Sequence, residues 1–172
     1  MVAMFRPHLG FRQFCATAAM AVAFILLGPA AGHLLPGCAA AHAQTVDIEE
    51  RRSLIFGKVA TTSTPGSVTI SPSGVKSVAG GVIDLGKNHR EAEFRITGPD
   101  NALVIVTLPT TATVTGGGGT GTLNNFTMNM SNPIDLGRRG RATISVGATL
   151  SLGTNLPGAD YSGDFTIYVD PQ

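Results

Sequence analysis

The chain has no tryptophan, and only two tyrosines, two cysteines and four histidines among its 172 residues; charged side chains make up 13%. Each scarcity removes a class of chemistry. Both cysteines (Cys15, Cys38) and three histidines (His8, His33, His42) fall in the first 43 residues, so the remainder has no thiol and one imidazole, His89. It cannot form an internal disulfide. A zinc site draws three or four Cys or His ligands, which excludes zinc within a single chain. Without Arg6 and Arg12, ten basic side chains face eleven acidic ones, a net charge of −1. No basic field is present to hold nucleic acid or an anionic membrane.

What the first 43 residues do contain is a targeting pattern. Arg6 and Arg12 give a positive start, Cys15 to Leu27 is apolar and uncharged, and Ala41-His42-Ala43 places small residues where a signal peptidase reads. The apolar run is about 13 residues long, against roughly 20 for a spanning helix. The expectation is a signal peptide over residues 1–43, an exported chain starting at Gln44, and no transmembrane helix in the mature protein. An alternative is lipid attachment at Cys38, after Leu35-Pro36-Gly37.

From Gln44 to Gln172 helical periodicity is absent and short β-type runs recur, bounded by Gly, Pro, Asn or Ser. The expected strands are Leu54–Val59, Ser67–Ile70, Gly81–Leu85, Ala92–Thr97, Leu103–Leu108, Phe126–Met130, Ala142–Ala148 and Asp164–Val169. About eight short strands imply two packed sheets. Phe165, Ile167 and Val169 share one face, with Thr166 and Tyr168 on the other. Phe126, Met128 and Met130 alternate with Thr127 and Asn129 in the same way. Leu103 to Val106 is apolar on both faces, which predicts a central strand or one beneath a loop. The alternation marks Phe94, Val106, Leu108, Phe126, Ile144, Phe165 and Ile167 as core. The fold class is all-β, a two-sheet antiparallel immunoglobulin-like or pilin-like sandwich. Lacking tryptophan and cysteine, any immunoglobulin likeness is architectural.

Pro65-Gly66, Ser73-Gly74, Gly80-Gly81, Gly98-Pro99-Asp100 and Pro157-Gly158 are expected to reverse the chain. Gly116 to Gly119 lacks the Lys-Ser or Lys-Thr of a phosphate loop and reads as a hairpin tip. His89 lies in a charged connection from Lys87 to Glu93 and reads as a solvated loop residue. Asp160 and Asp164 flank Tyr-Ser-Gly and are the nearest approach to a calcium loop, but two carboxylates in a turn ordinarily bond nearby amides. Glu91 and Glu93 share a strand face without an aromatic platform for sugar. Arg138-Arg139-Gly140-Arg141 reads as a solvated basic turn. No catalytic residue, cofactor or metal ligand is assigned.

The series Leu54-Ile55-Phe56-Gly57, Gly66-Ser67-Val68-Thr69-Ile70, Gly80-Gly81-Val82, Ala92 to Gly98, Val106-Thr107-Leu108-Pro109, Gly147-Ala148-Thr149-Leu150 and Tyr161 to Ile167 resembles the bacterial exported proteins grouped as domain of unknown function 4402. The resemblance spans nearly all of residues 44–172 and implies compartment and fold without an activity. More loosely, the pattern is similar to spore-coat-U-like and chaperone–usher pilin subunits. That likeness implies a sandwich completed by a neighbour's strand, with like subunits and a periplasmic chaperone as partners. On it, the candidate strand-exchange residues are Val46, Ile48, Phe165, Ile167, Tyr168 and Val169. Glu50 and Arg52 fall on the same parity as Val46 and Ile48 and cut the apolar alternation short. The expected function is a non-catalytic structural or adhesive subunit of the periplasm or cell surface; the alternative is a monomeric exported binding module.

Overall fold

The computed structural model describes residues 45–86, 88–116, 119–161 and 165–172. The expected signal peptide and Asp164 lie outside the described residues. The strands are β1 (Asp47–Arg52), β2 (Lys58–Ile70), β3 (Lys76–Asp84), β4 (Ala92–Thr97), β5 (Leu103–Thr107), β6 (Ala112–Gly116), β7 (Gly119–Met128), β8 (Ile134–Asp135), β9 (Arg141–Leu152), β10 (Ala159–Asp160) and β11 (Tyr168–Pro171), with one 3-10 turn at Gly137–Arg139. All pairings are antiparallel, in an eight-stranded sheet and a three-stranded sheet ordered β11-β5-β8. The all-β, two-sheet expectation holds, with eleven strands among the described residues rather than about eight. Four are additional, the charged β1, the threonine-rich β6 and the two-residue β8 and β10, which apolar runs do not reveal; the expected Leu54–Val59 and Ser67–Ile70 both fall on β2, with Leu54–Gly57 outside it and Ile55 held by a single bridge to Arg90.

Strand β9 organises the large sheet. One side of it pairs with β7, while the other pairs with β4 through Arg141–Val146 and with β2 through Ala148–Leu152. The change of partner falls at Gly147, where a Cβ would lie 2.2 Å from the Ile70 carbonyl oxygen. Glycine is needed there because two strand ends meet its backbone. Along β9, Ile144, Val146, Ala148, Leu150 and Leu152 are buried, alternating with polar residues on the outer face.

Two apolar clusters fill the interior. The first joins Phe94 and Ile96 of β4, Val104 and Val106 of β5, Ile134 and Leu136, and the first half of β9. The second joins Phe56, Val59, Val68, Ile70, Val114, Leu123, Tyr161 and the second half of β9. Leu54, Phe126 and Phe165 pack against both. The Phe165 ring meets Phe94 edge-on at 6.0 Å and Phe126 at 5.1 Å between centroids. Of the expected core, Phe94, Val106, Ile144 and Ile167 are buried, whereas Leu108, Phe126 and Phe165 are half-buried. Phe165 lies ahead of β11, outside the ladder that this strand makes with β5.

Two bulges keep the apolar parity in step. In β7, Asn124 pairs Thr149 and Thr127 pairs Gly147, so one extra residue is inserted, with Asn125 at φ 48°. The inward set moves from Gly121 and Leu123 to Phe126 and Met128. In β1, Glu50 pairs Phe94 and Arg52 pairs Glu93, which turns Arg52 to the outer face. β5 is the central strand of the small sheet, as its two apolar faces predict, although Leu103 at its start is exposed. Past β8, the Asn132 amide continues the ladder: it accepts from Val106 N at 2.9 Å and donates to Val106 O at 2.8 Å.

The glycine turns divide into two kinds. Ser73-Gly74 closes the β2–β3 hairpin with Gly74 at φ 79°, its N–H donating to Ser71 O. Pro65-Gly66 and Gly80-Gly81 instead lie within β2 and β3, opposite one another, correcting the expectation that they reverse the chain. Between the Thr61–Val82 and Gly66–Gly80 pairs, β2 contains extra residues and the hairpin folds over. A Cβ on Gly81 would lie 2.1 Å from Thr64 O. These glycines make a crease, not a turn, because only hydrogen fits between the two backbones.

Candidate binding faces and edges

The six candidate strand-exchange residues are placed at two different strand ends. Val46, Ile48, Phe165, Ile167 and Val169 all belong to or pack against the first cluster, while Tyr168 is exposed. β1 lies beside β4 in the large sheet, with Ile48 opposite the fully buried Ile96. β11 lies beside β5 in the small sheet, with Tyr168 opposite Thr107. The N-terminal strand thus fills its place within its own chain.

The outer face of the large sheet carries two chemistries. Around β1, β4 and the first half of β9, cross-strand rows read Asp47–Thr97–Arg141, Glu49–Arg95–Thr143 and Arg52–Glu93–Ser145. Arg52 is ion-paired with Glu93 and lies 3.6 Å from Glu91. Around β6, β7, the second half of β9, β2 and β3, the rows read Thr113–Thr122–Ser151–Ser67–Ala79 and Asn124–Thr149–Thr69–Ser77. These rows contain no charge. Thr69 and Thr149 hydroxyls are 2.9 Å apart, and the Asn124 amide donates to Ser151 Oγ at 3.1 Å. Such cross-strand hydroxyl pairs stabilise a sheet by roughly 0.2–1 kcal/mol each.

On β3, Lys76 lies opposite the buried Ile70 and turns inward; its side chain is only 6% exposed, and its ammonium reaches Asp84 Oδ1 at 2.7 Å. The contact closes across the crease between opposite ends of one strand. The Lys76 hydrogen bond, reinforced by the Gly86 amide, holds the Asp84 carboxyl below its ordinary range. Tyr161 is buried against the second cluster, and burial pushes its hydroxyl pKa up; that hydroxyl has no hydrogen-bond partner among the described residues.

His89 is exposed between β3 and β4, and Arg138, Arg139 and Arg141 are exposed around the 3-10 turn, which Gly140 closes at φ 57°. Gly116 pairs with Gly119 at the expected β6–β7 hairpin tip. Among the described residues no three His, Cys, Asp or Glu side chains are grouped to hold a metal ion, and no helix is long and apolar enough to cross a membrane. The outer-face rows and the inward lysine escaped the sequence reading. Their signal was present in the alternation of Ser, Thr and Asn with apolar residues, but register was needed to align them.

Residues 46–170 match the model of the family described as domain of unknown function, DUF4402, and the chain belongs to that family. No curated protein and no solved structure matches it.

Proposed function

We propose that the chain is an exported, non-catalytic structural or adhesive subunit of a bacterial periplasm or cell surface, assembled by exchange of its N-terminal strand. The observation that carries the reading is the position of β1. Among the described residues it is the first strand and pairs with β4 alone, and Val46 and Ile48 pack against the first cluster. A terminal strand held on one side can fill the same place in a neighbour, with main-chain bonds supplying affinity and apolar side chains supplying fit. Export is supported by the basic, apolar and small-residue pattern of residues 1–43.

The test is deletion of residues 44–53 in the exported protein, followed by mass measurement and unfolding. Polymers of the intact protein should disappear, and the shortened chain should stay folded only with a chaperone or an added peptide of residues 44–53. A stable, soluble monomer with unchanged cooperative unfolding would overturn strand exchange. A second reading, a monomeric exported binding module, is favoured by the pairing of β1 within its own chain and by the uncharged hydroxyl rows. It requires the intact protein to be monomeric. Compartment is tested separately: N-terminal sequencing of exported material should begin at Gln44, and a lipidated start at Cys38 would contradict it.

A further inference from the structure

The long free edges of the large sheet are protected unequally. β1 exposes Asp47, Glu49 and Arg51. β6 has five residues, β10 has two, and in the small sheet β8 has two while β11 ends in Asp170-Pro171. Short strands, charge and proline are the usual means of blocking edge-to-edge pairing. β3, nine residues long, pairs only with β2 among the described residues. Its one lysine is folded inward onto Asp84. Of the seven large apolar side chains exposed among the described residues, four lie on β3 or immediately beside it: Val75, Val78, Ile83 and Leu85.

We propose that β3 is the docking edge for a second copy of the same chain, joined antiparallel about a two-fold axis at Gly80. The strand sequence is self-complementary in that register. Lys76 falls opposite the second copy's Asp84, Ser77 opposite Ile83, Val78 opposite Val82, and Ala79 opposite Gly81. Both charged positions lie on the inner side, because Lys76 pairs with buried Ile70 and Asp84 with buried Val59. A two-fold axis normal to the sheet preserves that side in both copies. The bend at the glycine crease therefore continues from one copy into the other. Each end of the interface brings the ammonium of one copy to the carboxylate of the other, with valines meeting between them. This contact is isologous and closes at two subunits, and it goes beyond the subunit reading because strand exchange through β1 would give an open chain.

The test separates pairing between copies from the pairing within one. Sedimentation of the purified protein should show concentration-dependent pairing: dimers where β1 stays in its own chain, and paired polymers where β1 is exchanged. Lys76→Asp and Asp84→Lys each place like charges together at both ends, so each variant alone should be monomeric. Mixed in equal amounts, they should recover a dimer of one copy of each, although the internal Lys76–Asp84 pair stays broken in both. Failure of that mixture to dimerise, or a wild-type protein that is monomeric throughout, overturns the proposal. Should a single variant lose cooperative unfolding, Val78→Glu takes its place. It leaves Lys76 and Asp84 intact and must weaken dimerisation at least tenfold, and a dimer of wild-type affinity overturns the proposal. The residue 44–53 deletion leaves β3 in place, so loss of polymers with a mass that stays dimeric, and falls to monomer only when Lys76→Asp is added, separates failure of this proposal from failure of the proposed function.

Discussion

Strand β9 passes through two regions whose interiors are alike and whose surfaces differ. In its first half, Ile144 and Val146 are buried with Phe94, Ile96 and Val104, beneath charged rows that run out to β1. In its second half, Ala148, Leu150 and Leu152 are buried with Val59, Val68 and Leu123, beneath uncharged hydroxyl rows that run out to β3. Burial of alternate aliphatic side chains holds both regions together. The difference lies in how each ends: the charged region finishes in a strand whose exposed side chains discourage pairing, and the hydroxyl region in one that presents apolar residues. Core packing is shared across the sheet, whereas the chemistry of the two outer edges, β1 and β3, is not.

The largest expected effect tests whether the two interiors act as one. Ile144→Ala and Leu150→Ala each remove a fully buried side chain and should each cost about 2–5 kcal/mol. The two positions are separated by about 20 Å of strand, so their losses should add to within about 0.5 kcal/mol in denaturant unfolding. The double variant, if still folded, should melt in one transition. Two separate transitions would mean that the regions unfold independently, despite Leu54, Phe126 and Phe165 packing on both.

A smaller effect is expected at the junction. Gly147→Ala brings a methyl group onto the Ile70 carbonyl and the Ser71 carbonyl carbon. Because the obstacles are backbone atoms, the strands themselves must move, at a cost of about 1–3 kcal/mol. Amide hydrogen exchange should quicken where β2 and β4 approach β9. Unchanged stability would show that the strand ends yield more readily than the close approach implies.

The sequence made the first region more legible than the second. Ala92–Thr97 matches β4 end to end, because a regular alternation of buried and half-buried residues produces it. β1 was hidden: Asp47-Ile48-Glu49-Glu50-Arg51-Arg52 contains one apolar residue, and its strand character comes from pairing with β4. The β2–β3 crease was read as two turns because Pro-Gly and Gly-Gly signal reversal locally. Only the register shows them facing each other within strands. The terminal strand was expected at Asp164–Val169 and pairs at Tyr168–Pro171, since Phe165 and Ile167 alternate correctly but lie ahead of the ladder. Alternation reveals which side chains turn inward. It does not reveal the partner strand, and the hydroxyl rows, the inward Lys76 and the open edge of β3 all depend on that partner.

The smallest effect concerns the charge pair at that edge. Lys76 and the Gly86 amide favour the ionised form of Asp84, so its pKa is lower in the folded chain than in the unfolded one. A lowered carboxyl pKa contributes stability that is fully present above the unfolded value, about 3.9 for Asp, and is lost as pH falls through the folded value. Asp84 is 40% exposed on its side chain, so solvent screening keeps the contribution within the roughly 0–1 kcal/mol of surface pairs. Asp84→Asn should therefore lower stability slightly at neutral pH and converge with the wild type in acid. The comparison belongs at protein concentrations low enough to keep both forms monomeric. A difference between the two that grows as pH falls would reverse the sign and show that Lys76 is held by something other than the Asp84 carboxylate.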